Sequence, residues 1–419
     1  MVKIKEVIVV FVLFIATTTI GFTQEKKDSK IEFYGFVRAD LFTDSYKGLN
    51  SASDQFYLFP LYAGKDAQGE QINSQQSADL VLMGTRVGMK AYGPELLGAK
   101  TLANVEGDFA GKPSSITGIV RLRQANIKFN WENSVLTVGQ TWHPLWAGKI
   151  YPTVGSLNTG APFQPFNRSP QIRYDYTYKA LTLSAAGISE FQYLSYGPEG
   201  KTDHYHRNAV MPEVFAGAEL NKGIGTLGVG VSYKIIHPQI TTINNYVADH
   251  TEQSTVFMAY GQIQTGELTI KAKSIIGENT SYLLIPGGYG VSAIDDITGD
   301  YTYANYKSSS HFINAVYGKA WQIGGFAGYF LNLGTDKALM NTGTSENPVY
   351  SWGLKPEVQS MYRLSGHVAR NYRNMRIILE FEHTMAQYGI DGFKPSNGLY
   401  SVTDNAINNR FLMVMYYYF

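Results

Sequence analysis

The chain has 419 residues, with 35 Lys and Arg against 34 Asp and Glu, a near-neutral balance that argues against a nucleic-acid partner. The absence of Cys excludes a disulfide framework and a thiolate metal site, and beyond the N-terminus no run reaches the ~18 apolar residues of a transmembrane helix. Thirty Tyr, 22 Phe and 42 Gly against 15 Pro are strand and turn material instead.

Lys3 and Lys5 precede an apolar run from Val7 to Ile15 and then small residues up to Thr23, which reads as a secretory signal peptide over 1–23. Its removal takes away Lys3, Lys5 and Glu6 and leaves 33 basic and 33 acidic residues. A short periplasmic leader, 24–30, follows. The first strand is KIEFYGFVRADLFTDS: Phe33, Gly35, Val37, Ala39 and Leu41 alternate with Tyr34, Phe36, Arg38, Asp40 and Phe42. Period two puts Arg38 and Asp40 on one face and the aliphatics on the other. One face suits lipid and the other water.

The same reading gives sixteen candidate strands: 31–45, 78–91, 100–111, 118–131, 134–142, 170–178, 180–190, 212–221, 225–236, 253–265, 267–278, 308–321, 323–334, 357–370, 374–388 and 407–419. The connections after the even-numbered strands are short: 92–99, 131–133, 178–179, 222–224, 265–266, 321–322 and 372–373. Those after the odd-numbered strands are long, at 46–77, 143–169, 191–211, 237–252, 279–307, 335–356 and 389–406, with Lys112 to Thr117 the one short exception. Short periplasmic turns alternating with long extracellular loops mark an all-β fold, a transmembrane antiparallel up-and-down β-barrel of about 16 strands over 31–419. No recurrent motif supports a propeller, and a sandwich would leave open edges. A barrel of this size encloses more space than side chains fill, so an aqueous channel is expected.

Charge at mid-membrane on the lipid face costs roughly 2 to 4 kcal/mol for Arg or Lys, so the strand charges are expected inside. In the second strand Val81, Met83, Thr85, Val87 and Met89 face one way and Arg86 and Lys90 the other. The third sends Asn104, Glu106 and Asp108 inward, the sixth Gln171, Arg173 and Asp175, the fourteenth Arg363, Ser365 and His367, and the fifteenth Arg376, Glu380, Glu382 and Thr384. In the fourth, Arg121 and Arg123 share a face with Ala125, Ile127 and Phe129, so either a β-bulge or an apolar lumen end is needed. Lys271 and Lys273 pair on one face of the eleventh. These charges either pair across strands and stiffen the wall or touch solute; both roles are compatible.

Loop 143–169 is rich in Pro, Gly and aromatics, and Trp142, Trp146, Phe163 and Phe166 argue against disorder. It is expected to fold into the lumen and narrow it, with Arg168 and Arg173 at its C-terminal end. Its alternative is a place on the rim or at a subunit contact. Enzyme-like patterns are weak. Asp203-His204-Tyr205-His206 is a poor metal motif, His383 falls on the face opposite Glu380 and Glu382, Asp295, Asp296 and Asp300 lack calcium-loop spacing, and no Ser and His pair forms a nucleophile with its base. No cofactor and no metal are expected.

The last strand ends NRFLMVMYYYF, with Arg410 its one charge, and is expected to close the barrel against 31–45. Phe411, Met413, Met415, Tyr417 and Phe419 take the lipid face. Leu412 and Val414 then imply an apolar stripe inside the seam or a covering element.

FYGFVRADLFTDS, RLRQANIKFNW followed by LTVGQTW, SPQIRYDY and FEHTMAQYG, in that order, resemble the DcaP-like trimeric outer-membrane porins over Glu32 to Phe419. The resemblance implies the outer membrane of a Gram-negative-type bacterium, a homotrimer in lipid, and passive diffusion of small hydrophilic, anionic, dicarboxylate-like solutes through an arginine-rich constriction. It carries that role onto Arg38, Arg86, Arg121, Arg123, Arg168 and Arg173. Glu106, Asp108, Glu380 and Glu382 set a second expectation: arginines on one wall facing carboxylates on the opposite one would make a transverse field. The competing reading is a surface adhesin that binds through its long loops with a plugged lumen.

Overall fold

The computed structural model describes residues 30–111, 118–341 and 349–419; the expected signal peptide, most of the expected leader and the Lys112 to Thr117 connection lie outside the described residues. Sixteen long strands form a closed antiparallel barrel. In chain order the first eight are β1 (Ile31–Asp44), β2 (Arg86–Leu96), β3 (Ala99–Asp108), β4 (Arg121–Asn130), β5 (Ser134–Trp142), β6 (Arg168–Tyr178), β7 (Leu181–Ile188) and β8 (Glu213–Lys222). The second eight are β9 (Gly225–Ile236), β10 (Glu252–Thr265), β11 (Leu268–Glu278), β12 (Tyr301–Tyr317), β13 (Trp321–Thr335), β14 (Val358–Tyr372), β15 (Met375–Lys394) and β16 (Leu399–Tyr418).

Closure runs from Phe36 opposite Tyr418 to Asp44 opposite Arg410, so the final strand seals the sheet against the first as its aromatic, uninterrupted sequence predicts. Every strand edge is thereby paired, which the hydrocarbon core demands of a spanning sheet. Exposure follows period two: Phe33, Val37 and Leu41 on β1, Val105 on β3, Ile172 on β6, Leu364 and Val368 on β14 and Leu379 on β15 point outward. Arg38, Asp40, Glu106, Gln171, Arg363, His367 and Glu380 on the same strands are buried.

Three details differ from the sequence reading, and a fourth decides between two alternatives that it left open. The first lies before β2, where the pairing with β1 advances from Asp40–Val81 to Phe36–Arg86, five residues against four. The extra residue reverses the facing, so Val81 is inside, packed with Phe42, Ala369, Ile378, Leu412 and Val414, while Val87 faces out. That inner cluster is the apolar stripe that Leu412 and Val414 imply, and Gly155 of loop 143–167 lies against its Ile378. The second difference is the turn after β2, which shrinks from the expected 92–99 to Leu97-Gly98, both with positive φ (52° and 73°), the geometry of a tight hairpin turn. Third, the expected loop 389–406 is mostly strand: β15 and β16 run on as 20-residue strands joined by 395–398. Strands this long exceed the ~9 to 11 residues of a tilted crossing, so this hairpin stands above the membrane. Fourth, β4 carries the bulge that its same-face arginines call for, with Glu106 opposite Gln124 and Gly107 opposite Leu122, which leaves Arg123 as the extra, inward residue.

Candidate functional site

The inside of the barrel has two unlike walls. Along β1 to β4 the inward charges pair with each other. Arg38 grips Asp40 through Nε and Nη2, each at 2.6 Å, and donates a further bond to the Tyr416 hydroxyl. Arg121 is bidentate on Asp108, at 3.0 and 2.7 Å, and the bulged Arg123 reaches Glu106 at 2.8 Å and Asp108 at 2.7 Å. Arg86 stands 3.5 Å from Glu106 with its guanidinium over the Phe36 ring. Such bidentate, charge-assisted bonds are the strong ones, and burial makes them costly to break from one side. The structure therefore brings together Arg38, Arg86, Arg121, Arg123, Glu106 and Asp108 on one wall. Carboxylates interleave with arginines there, and the expected opposition of a basic wall to an acidic one is not found.

The other wall, β11 to β15, is occupied by backbone. Loop 143–167 leaves the top of β5, crosses the lumen and is fastened to inward side chains. Lys273 donates to the Trp146 carbonyl at 2.6 Å, Lys271 to that of Tyr151 at 3.0 Å, and Ser310 to that of Pro162 at 3.0 Å. Asn314 accepts from the Thr153 amide at 2.8 Å, and Glu380 accepts from the amides of Gly155 and Ser156 at 2.7 and 3.1 Å. Arg38 spans from the facing wall to the Gly155 carbonyl at 2.8 Å. Arg363 donates to the Ala161 carbonyl at 3.1 Å, to Thr384 at 2.9 Å and to the Leu58 carbonyl, with Glu382 3.6 Å away. On β13, Gly328 makes room for the Phe163 ring, whose nearest carbon would stand 2.3 Å from an added Cβ.

Loop 143–167 is not alone in the lumen. The first extracellular connection forms a small hairpin, Gly48–Ser51 with Phe56–Pro60, whose Phe56 meets Phe166 edge-on at 4.9 Å and whose Tyr57 carbonyl accepts from Asn158. From above, the Leu283 carbonyl takes the Phe166 amide at 2.8 Å. A buried aromatic and aliphatic core thus fills the middle of the barrel, including Phe56, Phe59, Leu145, Trp146, Phe163, Phe166 and Leu283. The sequence signal for the hairpin was its FYLFP run, apolar where a solvated loop would be polar.

Between this core and the β1 to β4 wall lies a cavity of about 1050 Å³. Its lining extends from Arg376, Tyr416 and Tyr418 at the periplasmic ends of β15 and β16 to Gly111, Lys201 and Leu354 on the extracellular side. Arg38, Arg86, Asp108, Arg121 and Arg123 line it on the wall side, and Trp142, Trp146, Tyr151 and Phe166 on the core side. The ring faces are largely taken: Trp142 and Trp146 stack at 4.0 Å, Trp146 and Tyr151 at 5.3 Å. The cavity is therefore eccentric, following one wall.

The remaining expected residues fall outside this lining. Arg168 is fully buried behind it, its guanidinium 4.8 Å from the Trp142 ring centre and one nitrogen 2.9 Å from the Tyr193 hydroxyl. Two of its nitrogens have no hydrogen-bond partner among the described residues, and the ring faces of Trp142, Phe166 and Tyr193 compensate its charge. Arg173 turns to Asp175 at 2.8 Å and is absent from the cavity lining. Arg363, Glu380 and Glu382 hold the core instead of facing the cavity. The sequence reading of individual sites missed Arg410, buried over Phe42 at 4.1 Å, and Lys234, which donates to Glu190 at 2.9 Å and Ser195 at 3.0 Å. It also missed the His143, Tyr282 and Ser232 cluster on Glu213. The signal for Lys234 was a single cation on a face otherwise made of Thr226, Gly228, Gly230 and Ser232. Asp203 to His206 forms the start of a short helix with His206 buried, and no group of metal-ligating side chains gathers among the described residues.

Compared with solved structures, the chain is similar to the outer-membrane channel DcaP of Acinetobacter baumannii, with TM-score 0.67 and 17% identity, over 93% of this chain and 97% of that one. It has the DcaP fold. It is also similar to OmpT, an outer-membrane protein of Vibrio cholerae (TM-score 0.55, 10% identity, 94% and 99% covered), and to an anion-selective porin from Comamonas acidovorans (TM-score 0.54, 10% identity, 94% and 100% covered). No family model and no curated protein matches the sequence. The resemblance read from the ordered motifs and the likeness in three dimensions thus meet in the DcaP fold, that of outer-membrane channels and porins.

Proposed function

We propose that this chain is a non-enzymatic outer-membrane porin giving passive diffusion of small hydrophilic, anionic, dicarboxylate-like solutes along the β1 to β4 wall. The observation that carries the reading is a cavity with lining residues near both the periplasmic and the extracellular ends of the strands, five of them arginines. Those five are Arg38, Arg86, Arg121, Arg123 and Arg376, against which Asp40, Glu106 and Asp108 stand on the same wall. Counted formally, these five arginines and Lys201, which also lines the cavity, meet three carboxylates, an excess of three positive charges, and a charged cleft with low-dielectric walls concentrates ions of opposite sign. Loop 143–167 acts as the constriction element, and its many bonds to the opposite wall keep the conduit narrow. In support, the Comamonas relative in fold is described as an anion-selective porin, and one Vibrio OmpT structure as a trimer. A homotrimer in outer-membrane lipid, exported with residues 1–23 removed as a signal peptide, completes the proposal.

The adhesin reading loses ground because the first and third extracellular loops are spent on the inside of the barrel. Purified, heat-modifiable protein reconstituted in a planar bilayer is expected to show discrete conductance steps with chloride preferred over potassium. A correctly folded barrel that conducts nothing would sink the porin reading and return the adhesin to the front.

A further inference from the structure

We propose that Arg376, and not the arginine cluster of β1 to β4, sets the charge preference of the conduit; this rests on the porin reading above. The inference begins from which cations are compensated. Arg38 is held by Asp40, Arg121 by Asp108, Arg123 by Glu106 and Asp108 together, and Arg86 lies 3.5 Å from Glu106. A guanidinium locked onto a carboxylate presents a dipole to a passing ion, and a dipole's field falls away faster than a charge's. Two of these arginines, Arg38 and Arg123, are also sealed from the cavity water, with side chains only 4% and 3% exposed.

Arg376 differs on each count. It sits on the inward face of β15, one residue after the turn from β14, opposite Tyr416 on β16 and Asn371 on β14. It lines the conduit and is part-exposed, and no carboxylate forms an ion pair with it among the described residues. The nearest carboxylate along its own face, Glu380, is engaged by the amides of Gly155 and Ser156 and stands 3.6 Å from His367. Its other lining neighbours, Tyr416, Tyr418 and Tyr151, supply phenols and no charge. Arg376 is therefore a full, uncompensated positive charge at the periplasmic end of the passage. An anion within about 5 Å of such a charge in a water-like medium is favoured roughly three-fold over the uncharged case, and a cation disfavoured by a like factor.

The test measures the zero-current potential of the full-length protein in a planar bilayer under a KCl gradient. Arg376→Gln, Arg376→Lys and Arg86→Gln are compared with the wild type, each checked for heat-modifiable mobility. Arg376→Gln is expected to lower the chloride-to-potassium permeability ratio by up to roughly ten-fold, the product of the two factors, while Arg376→Lys keeps it, and Arg86→Gln, whose guanidinium lies 3.5 Å from a carboxylate it shares with Arg123, is expected to move it less. A side chain without a hydrogen-bond or ion-pair partner among the described residues leaves nothing unpaired there on substitution, so the Gln variant should assemble. A chloride-selective wild type whose ratio is unmoved by Arg376→Gln would overturn the assignment while leaving the porin intact. A conducting wild type without chloride preference also overturns it. A wild type that conducts nothing overturns the porin reading and this inference with it.

Discussion

The two walls of the lumen use the same residue types for different ends. On β1 to β4, arginines meet carboxylates and the cavity lies over them; on β11 to β15, Lys273, Asn314, Arg363 and Glu380 meet backbone carbonyls and amides of loop 143–167. An inward charge on the first wall is paired so that it survives beside a water-filled space. On the second it satisfies a backbone that enters the barrel without a ladder of its own, where each unpaired carbonyl or amide would cost about 1 to 3 kcal/mol. Inward charge in a barrel is thus no measure of how much charge a solute meets.

The comparison breaks most severely at Arg123. Arg123→Met leaves Glu106 and Asp108 buried with one cation fewer, a loss of roughly 3 to 5 kcal/mol when one partner of a buried pair is removed. The expected outcome is a barrel that loses its compact, heat-modifiable band at a lower temperature than the wild type, read by mobility on unboiled gels.

On the opposite wall, Arg363→Ala removes bonds to Leu58, Ala161 and Thr384. Hydrogen bonds from a charged donor contribute roughly 1.5 to 3 kcal/mol each, but bonds of one network are not additive, so the site as a whole is expected to lose roughly 3 kcal/mol, the low end of the range for Arg123. Here the barrel is expected to assemble while the core of loops loosens, and single-channel conductance should rise and become noisier. An unchanged trace would mean that the loops are held by their own apolar packing. Gly328→Ala probes the same contact from the side of shape: its methyl would meet the Phe163 ring, an overpacking of roughly 1 to 3 kcal/mol. Limited proteolysis within 143–167 should speed up by a smaller factor than in Arg363→Ala.

Much of this architecture is written in the chain at the level of period two. Val37 against Arg38, Val105 against Glu106 and Leu379 against Glu380 are each resolved by the cost of charge in lipid, a term large enough to override local propensity. The bulge at Arg123 was legible as one of two alternatives for the same reason, because two arginines on one face with Ile127 call either for a bulge or for an apolar end inside the lumen. What escaped were events without a charge to mark them. The extra residue between Val81 and Arg86 flips apolar side chains from one acceptable surface to another, since lipid and an apolar seam both welcome Val. Likewise, alternation sends Arg363 and Arg376 inward alike. Only the path of the loops decides that one holds Ala161 and Leu58 while the other faces open space.

The smallest expected effect tests the eccentric conduit itself. Arg173 is an inward arginine on β6, and by the resemblance it would belong to the constriction. Its guanidinium is nevertheless committed to Asp175 at 2.8 Å, part-exposed, in a pair of the kind that contributes about 0 to 1 kcal/mol. It lies outside the lining of the cavity, which follows β1 to β4. Replacing it by Ser frees one carboxylate far from the ion path, so Arg173→Ser should leave both the melting of the barrel and the zero-current potential within error of the wild type. A clear shift toward cations would show that solutes also pass along β6, on the far side of Trp142, and that the conduit is wider than the space between loop 143–167 and the first four strands.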